Sequence, residues 1–224
     1  MGPEATILLQ QKLVAAVPAR DDADHIPLLI DMNPQVPSRI AHLIEGVDDD
    51  PGPTLAAMAE RLESAGAKAI AMPCNTAHHY AGAIREAICV PFLDMVAAAS
   101  AHAAERLGAG GLVGLLASPA ARIAGLYEAA LAPHGLSTLW PEDEAPILAA
   151  IRAIKAGDGE SAEQTLADAV DALSARGAGL ILVACTEFSL LADRLAPPVP
   201  LVDTLDILTR EIVAFSQTPM DRSR

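Results

Sequence analysis

The chain of 224 residues has a formal net charge of −14 and is 52% hydrophobic but only 3% aromatic, a composition that suits aliphatic helices packed on buried strands. Such acidity excludes nucleic acid as a partner, because binding it takes a basic stripe that displaces counterions. No apolar run reaches the roughly 18 residues of a membrane span and no signal-peptide pattern opens the chain, so a soluble cytoplasmic protein without membrane attachment is expected.

Residues 3–17 have the apolar spacing of a helix, and 26–30 form a short strand-like run. Residues 47–52 read as a loop. A helix is expected over 53–65, with Pro53 in its first turn and Gly66 past its end, where each residue is favoured. Next come a strand at 68–72, a helix at 76–88, a short strand at 91–93, a helix at 95–107 and a strand at 112–116. The second half continues as helix, short strand, two helices, strand, helix, strand and helix, and residues 217–224 read as a frayed tail. Strands alternating with helices predict βαβ units and parallel sheets with helices on both faces.

An internal repeat organises these elements. Gly66-Ala67 precedes Cys74, and Gly177-Ala178 precedes Cys185 at the same interval. Val90-Pro91-Phe92-Leu93-Asp94 matches Val199-Pro200-Leu201-Val202-Asp203, and Gly2-Pro3-Glu4-Ala5 more weakly matches Ser118-Pro119-Ala120-Ala121. The offset is 111 residues at the cysteines and 109 at the Val-Pro segments. We read two similar α/β halves related by a pseudo-twofold axis: residues 1–97, joined by a C-terminal helix at 204–224, and residues 98–203. The second half has a strand just before Ser118-Pro119. Its counterpart would precede Gly2-Pro3, so the first strand of the N-terminal half is expected to be missing, leaving unpaired strand edges and poor solubility.

Cys74 and Cys185 fall where strands end and helices are expected to begin, the place where open α/β sheets bind ligands. A thiol there faces the positive end of a helix, which is expected to favour the thiolate. Asn75, Thr76, Thr186 and Glu187 would stand in the first turns, able to hold a carboxylate. Two such junctions facing each other put one thiol on each side of a bound α-carbon. That is the arrangement for two-base racemisation, one cysteine removing the proton and the other donating to the opposite face. Cys89, between Ile88 and Val90, reads as a small buried hydrophobe. His78 and His79 lie near Cys74, but no Cys-x-x-Cys or spaced His pair supports a metal site; one ring is expected inside and one outside. A redox dithiol is disfavoured by the long separation of the cysteines. Asp94 and Asp203 read as helix caps.

The segments Met72-Pro73-Cys74-Asn75-Thr76-Ala77-His78 and Ala184-Cys185-Thr186-Glu187-Phe188 resemble the two signature motifs of the aspartate/glutamate racemase superfamily, nearest its aspartate racemase branch. The opening Met1-Gly2-Pro3-Glu4-Ala5-Thr6 is similar to the end of that branch's first motif. The resemblance implies two flavodoxin-like halves, a homodimer, no cofactor, no metal, and a small acidic amino acid or dicarboxylate as substrate. It also implies that segment 33–39 is the substrate loop, with Asn33 in it and Arg39 on the distal carboxylate, and that Lys155, in Lys155-Ala156-Gly157, approaches the same group. The loop after the second-half strand departs from the usual Ala-Thr-x-Gly-Thr: it reads Ala117-Ser118-Pro119-Ala120-Ala121, and Ser118 retains one hydroxyl. Aspartate racemisation is the leading expectation. The alternatives are maleate isomerase-like chemistry, which also uses two cysteines, and a catalytically impaired carboxylate-binding paralogue. Related decarboxylases keep one of the two cysteines.

Overall fold

Helix α1 (Pro3–Ala16) begins with proline at its first position and buries Ala5, Leu9 and Leu13, one residue per turn along a single face. The computed structural model describes residues 2–218; Met1 of the opening motif and 219–224 of the expected tail lie outside the described residues. Ser38 caps α2 (Arg39–Leu43) by accepting from Ala41 N–H. Helix α3 (Pro51–Ser64) starts two residues earlier than expected, because the Asp50 carboxylate accepts the Gly52 N–H and leaves Pro51 at the first helical position. Strand β1 (Ile70–Ala71) leads to Cys74, a 3-10 turn (Thr76–Tyr80), α4 (Ala81–Ala87), β2 (Phe92–Leu93) and α5 (Met95–Leu107). The second half runs β3 (Leu112–Ala117), α6 (Pro119–Ile123), α7 (Leu126–Leu131), β4 (Ser137–Leu139), α8 (Ala145–Lys155), α9 (Gly159–Ala175), β5 (Leu180–Ala184), β6 (Leu201–Asp203) and α10 (Thr204–Gln217).

A strand covered on both faces needs apolar residues at every position, and all five residues of β5 are buried. Successive side chains point to opposite faces. Accordingly, Leu180, Leu182 and Ala184 join a cluster with Val96, Tyr127 and Leu131 of α5 and α7, whereas Ile181 and Val183 join Ile151 and Ile154 of α8 and Leu166 and Val170 of α9. The four-stranded sheet has the order β4-β3-β5-β6, every pair parallel. Strands β1 and β2 pair in a second parallel sheet.

The repeat holds in the hydrogen-bond register. Ile70 pairs with Phe92 and Ala71 with Leu93; at the repeat offsets, Ile181 pairs with Leu201 and Leu182 with Val202. Gly66 and Gly177 also match, with φ of 101° and 96°, a left-handed backbone that a side chain would strain and that ends α3 and α9.

Three expectations are corrected. Residues 26–30 form no strand. Pro27 lacks a ladder donor, and Leu28, Leu29 and Ile30 stay 40–50% exposed, beside a largely apolar groove of about 420 Å³ that the segment shares with α1, β1 and α10. Between β5 and β6 the expected helix is replaced by two 3-10 turns, Phe188–Leu190 and Ala192–Arg194, because Pro197, Pro198 and Pro200 follow closely. The single helix expected between β3 and β4 is two, α6 and α7, broken at Gly125, whose φ is 61°. No helix of the described residues is long and apolar enough to cross a membrane.

Candidate active site

Cys74 and Cys185 follow β1 and β5, the equivalent strands of the repeat, and line one inner cavity of about 30 Å³. Arg39 from α2, Thr76, Ser118 at the cap of α6, Lys155 at the end of α8 and Glu187 line it as well. An outer cavity of about 500 Å³ adjoins it, bounded by Gly2, Pro3, Glu4 and Ala5 at the start of α1 and by Pro34 and Val36. Ser38, Arg39, Lys155 and Glu187 line both spaces and so form the waist between them.

The waist carries the charges. Arg39 Nη1 donates to the carbonyls of Val36 (3.3 Å) and Pro37 (2.8 Å), which fixes the guanidinium against its own loop. Its Nε–H is buried and has no hydrogen-bond partner among the described residues. Lys155 Nζ lies 3.4 Å from Glu187 Oε1, and the Cys185 thiol donates to Glu187 Oε2 at 3.2 Å.

The two cysteines sit in unlike surroundings. Cys74 is half-buried, while Cys185 is 5% exposed. Burial pushes the Cys185 thiol well above its ordinary range, and the Glu187 carboxylate adds to the rise. This reverses the lowering expected from a helix N-terminus. The physical reason is that each cysteine is followed by a short 3-10 turn, not an α-helix, and that an anion accepts the thiol proton. Cys185 therefore rests as a proton donor.

Other expected site residues also make contacts within the scaffold. The Asn75 amide is 2% exposed; it accepts from Tyr127 Oη at 2.5 Å and donates to Thr204 Oγ1 at 3.0 Å, and Thr204 in turn donates to Val183 O. Burial keeps the Tyr127 phenol protonated, hence a donor. Thr186 is 3% exposed beside Cys185. Asn33 turns its own loop, accepting from Gln35 N–H, and touches Met58 Sδ. Ser118 accepts from Ala120 N–H as a cap. We expect Asn75→Ala to cost about 2–3 kcal/mol in urea unfolding, since it leaves the Tyr127 hydroxyl buried without its acceptor; a loss below about 0.5 kcal/mol would make the network dispensable.

Behind the cysteines the repeat diverges. His78 and Ser189 each stand four residues after a cysteine. The buried His78 ring donates to Cys74 O and accepts from Met95 N–H, a neutral tautomer that burial favours, while His79 is exposed. Asp94 and Asp203 cap α5 and α10 as expected. Asp94 is also paired with Arg85; although burial raises its carboxyl, backbone N–H groups and Arg85 bring it below the usual range. Asp203 is buried and raised to about 6. Cys89 is exposed, not a buried hydrophobe, because its N–H and that of Val90 donate to Glu63 on the surface. Sequence reasoning did not identify Tyr127 and Thr204; nothing in their local pattern marks contacts so distant along the chain.

A model of the Asp/Glu/hydantoin racemase family matches residues 1–212. The chain belongs to that family. The racemase is 28% identical over 160 residues to the broad-specificity amino-acid racemase RacX of Bacillus subtilis, covering 70% of this chain and 68% of the relative. Among solved structures it is similar to aspartate racemase from Picrophilus torridus, with a TM-score of 0.85, 24% identity, and 96% and 90% of the two chains covered. It is also similar to glutamate racemase from Francisella tularensis in complex with D-glutamate, with a TM-score of 0.63, 17% identity, and 94% and 76% covered. These two likenesses establish the racemase fold. The enzyme is an isomerase, an amino-acid racemase.

Proposed function

We propose that this racemase inverts a small acidic amino acid, aspartate first, without a cofactor, using Cys74 and Cys185 as the two proton-handling groups. The observation that carries the reading is that both thiols, each from the end of an equivalent strand, line one cavity together with the cations Arg39 and Lys155. Substrate would enter from the outer cavity. The unpartnered Nε–H of Arg39 suits a distal carboxylate, and Lys155 offsets the second charge of a dianion. Backbone N–H groups and the hydroxyls of Thr76, Thr186 and Ser118 are the candidates for the α-carboxylate and its developing enediolate. Two working thiols also suit the reducing cytosol.

The test is incubation of the protein with L-aspartate and separately with D-aspartate in deuterated water, following optical rotation and α-proton exchange. Exchange and inversion from both enantiomers support the reading. Inversion of glutamate alone would move the substrate, and no exchange with any acidic amino acid would overturn it. We expect Arg39→Ala to raise KM for aspartate about tenfold or more, the loss of one charge-assisted pair. An unchanged KM would remove Arg39 from the substrate seat.

A further inference from the structure

Cys185 lines the inner cavity and not the outer one. A buried thiol that gains and loses a proton in each cycle needs a route for that proton. Glu187 is built into such a route. One carboxylate oxygen accepts the Cys185 thiol proton at 3.2 Å, the other lies 3.4 Å from Lys155 Nζ, and the side chain lines both cavities. We propose that Glu187 is a positioning residue acting through Cys185: it aims the thiol proton and carries it between the buried sulfur and the outer cavity. The inference rests on the two-cysteine reading given above.

The step balances as simple proton transfer. Before Cys185 can take an α-proton, its S–H bond breaks, the electron pair stays on sulfur, and the proton bonds to Glu187 Oε2. The neutral carboxyl then releases that proton to water in the outer cavity. After Cys185 has protonated a substrate carbanion, the same path runs backwards and restores the thiol. Lys155 Nζ, 3.4 Å from the other oxygen, orients the carboxylate between transfers. The other ionisable groups nearby are Arg39 and Glu4 on the cavity walls, and Cys74 and Tyr127, which face Cys185. Among the described residues, Glu187 is the side chain hydrogen-bonded to this sulfur. Gly2 packs against the same carboxylate, since a Cβ there would sit 3.5 Å from Glu187 Oε1.

The test needs a readout independent of turnover. In a Cys74→Ser, Cys89→Ser background Cys185 is the sole remaining thiol of the chain's three. Its alkylation by iodoacetamide, followed by intact mass across pH, reports the thiolate fraction. Adding Glu187→Gln is expected to move the profile to lower pH and speed alkylation near pH 8 about five- to tenfold; adding Glu187→Asp should return it toward the parent. In the native-cysteine protein, Glu187→Gln is expected to lower kcat for both enantiomers at least about tenfold, with KM changed less and Glu187→Asp partly active. An alkylation profile unmoved by Glu187→Gln would overturn the proposal, even if racemisation fell. If the protein racemises nothing but the profile moves as expected, the two-cysteine reading fails while the Glu187–Cys185 coupling stands. If Glu187→Gln does not fold, as judged by circular dichroism, Glu187→Ala in the same single-thiol background takes its place: a profile moved to lower pH supports the proposal, and one unmoved overturns it.

Discussion

Cys74→Ser and Cys185→Ser are each expected to lower kcat for aspartate about a thousandfold in both directions, within the range that positioned acid–base groups contribute. A serine hydroxyl is too weak an acid to be a base at neutral pH, yet it fills nearly the same space, so folding should survive. The two variants should differ in what they retain. With Cys74 gone, the enantiomer whose α-proton faces Cys185 keeps some exchange with solvent deuterium without inverting; with Cys185 gone, the other enantiomer does. Proton NMR of the α-position beside chiral chromatography separates exchange from inversion. Racemisation within tenfold of the parent in either variant would remove that cysteine from the chemistry.

The second large effect is on stability, at Asp203. Its carboxyl is 6% exposed and raised from 3.8 to about 6, chiefly by burial, with Leu205 N–H and Ser189 partly offsetting it. Lys12 compensates weakly: its Nζ is 3.6 Å from Asp203 but 2.6 Å from Asp206. A carboxyl with a raised folded value favours the native state while protonated. Its contribution is fully present below the unfolded value near 3.8 and is lost as pH rises through about 6. The loss amounts to about 3 kcal/mol by pH 7.5. Asp203→Asn keeps an acceptor for Leu205 N–H and Ser189 Oγ but has no charge to bury. Urea unfolding from pH 4.5 to 8 should therefore show the variant about 2 kcal/mol more stable than the parent at the alkaline end, with the difference shrinking toward pH 4.5. A variant less stable than the parent at pH 7.5 would show that the ion pair with Lys12 outweighs burial.

Much of this was legible in the chain. The paired offsets fixed the equivalence of β1 with β5 and β2 with β6, because a strand of a parallel sheet shows itself as an apolar run and a repeat shows itself as spacing. Helix α5 matched to the residue, since Asp94 caps it and Gly108 ends it. What spacing does not encode is the company a side chain keeps after folding. Cys74 and Cys185 look alike as strand-end thiols, yet one is half-buried and the other lies under a carboxylate from its own loop. Asn75 reads as a ligand for substrate beside Cys74, but Tyr127, 52 residues away, and Thr204, 129 away, take its amide. The 26–30 run has strand composition, but β1 offers it no ladder among the described residues. A strand is a property of two segments, and one segment can announce only half of it.

The Asn75 network has a mechanical consequence. The residue next to Cys74 is fastened through Tyr127 on α7 and Thr204 on α10 to the sheet that carries Cys185. The floor of the cleft is thus a rigid plate, and prising the two cysteines apart would break buried hydrogen bonds. The inner space opens at its waist onto the outer cavity of about 500 Å³. On the opposite wall Ser38 is exposed, and among the described residues Arg39 hydrogen-bonds to carbonyls of its own loop. On the proposed two-cysteine chemistry, such a floor would hold the thiols at a constant spacing while the Arg39 wall accommodates the substrate.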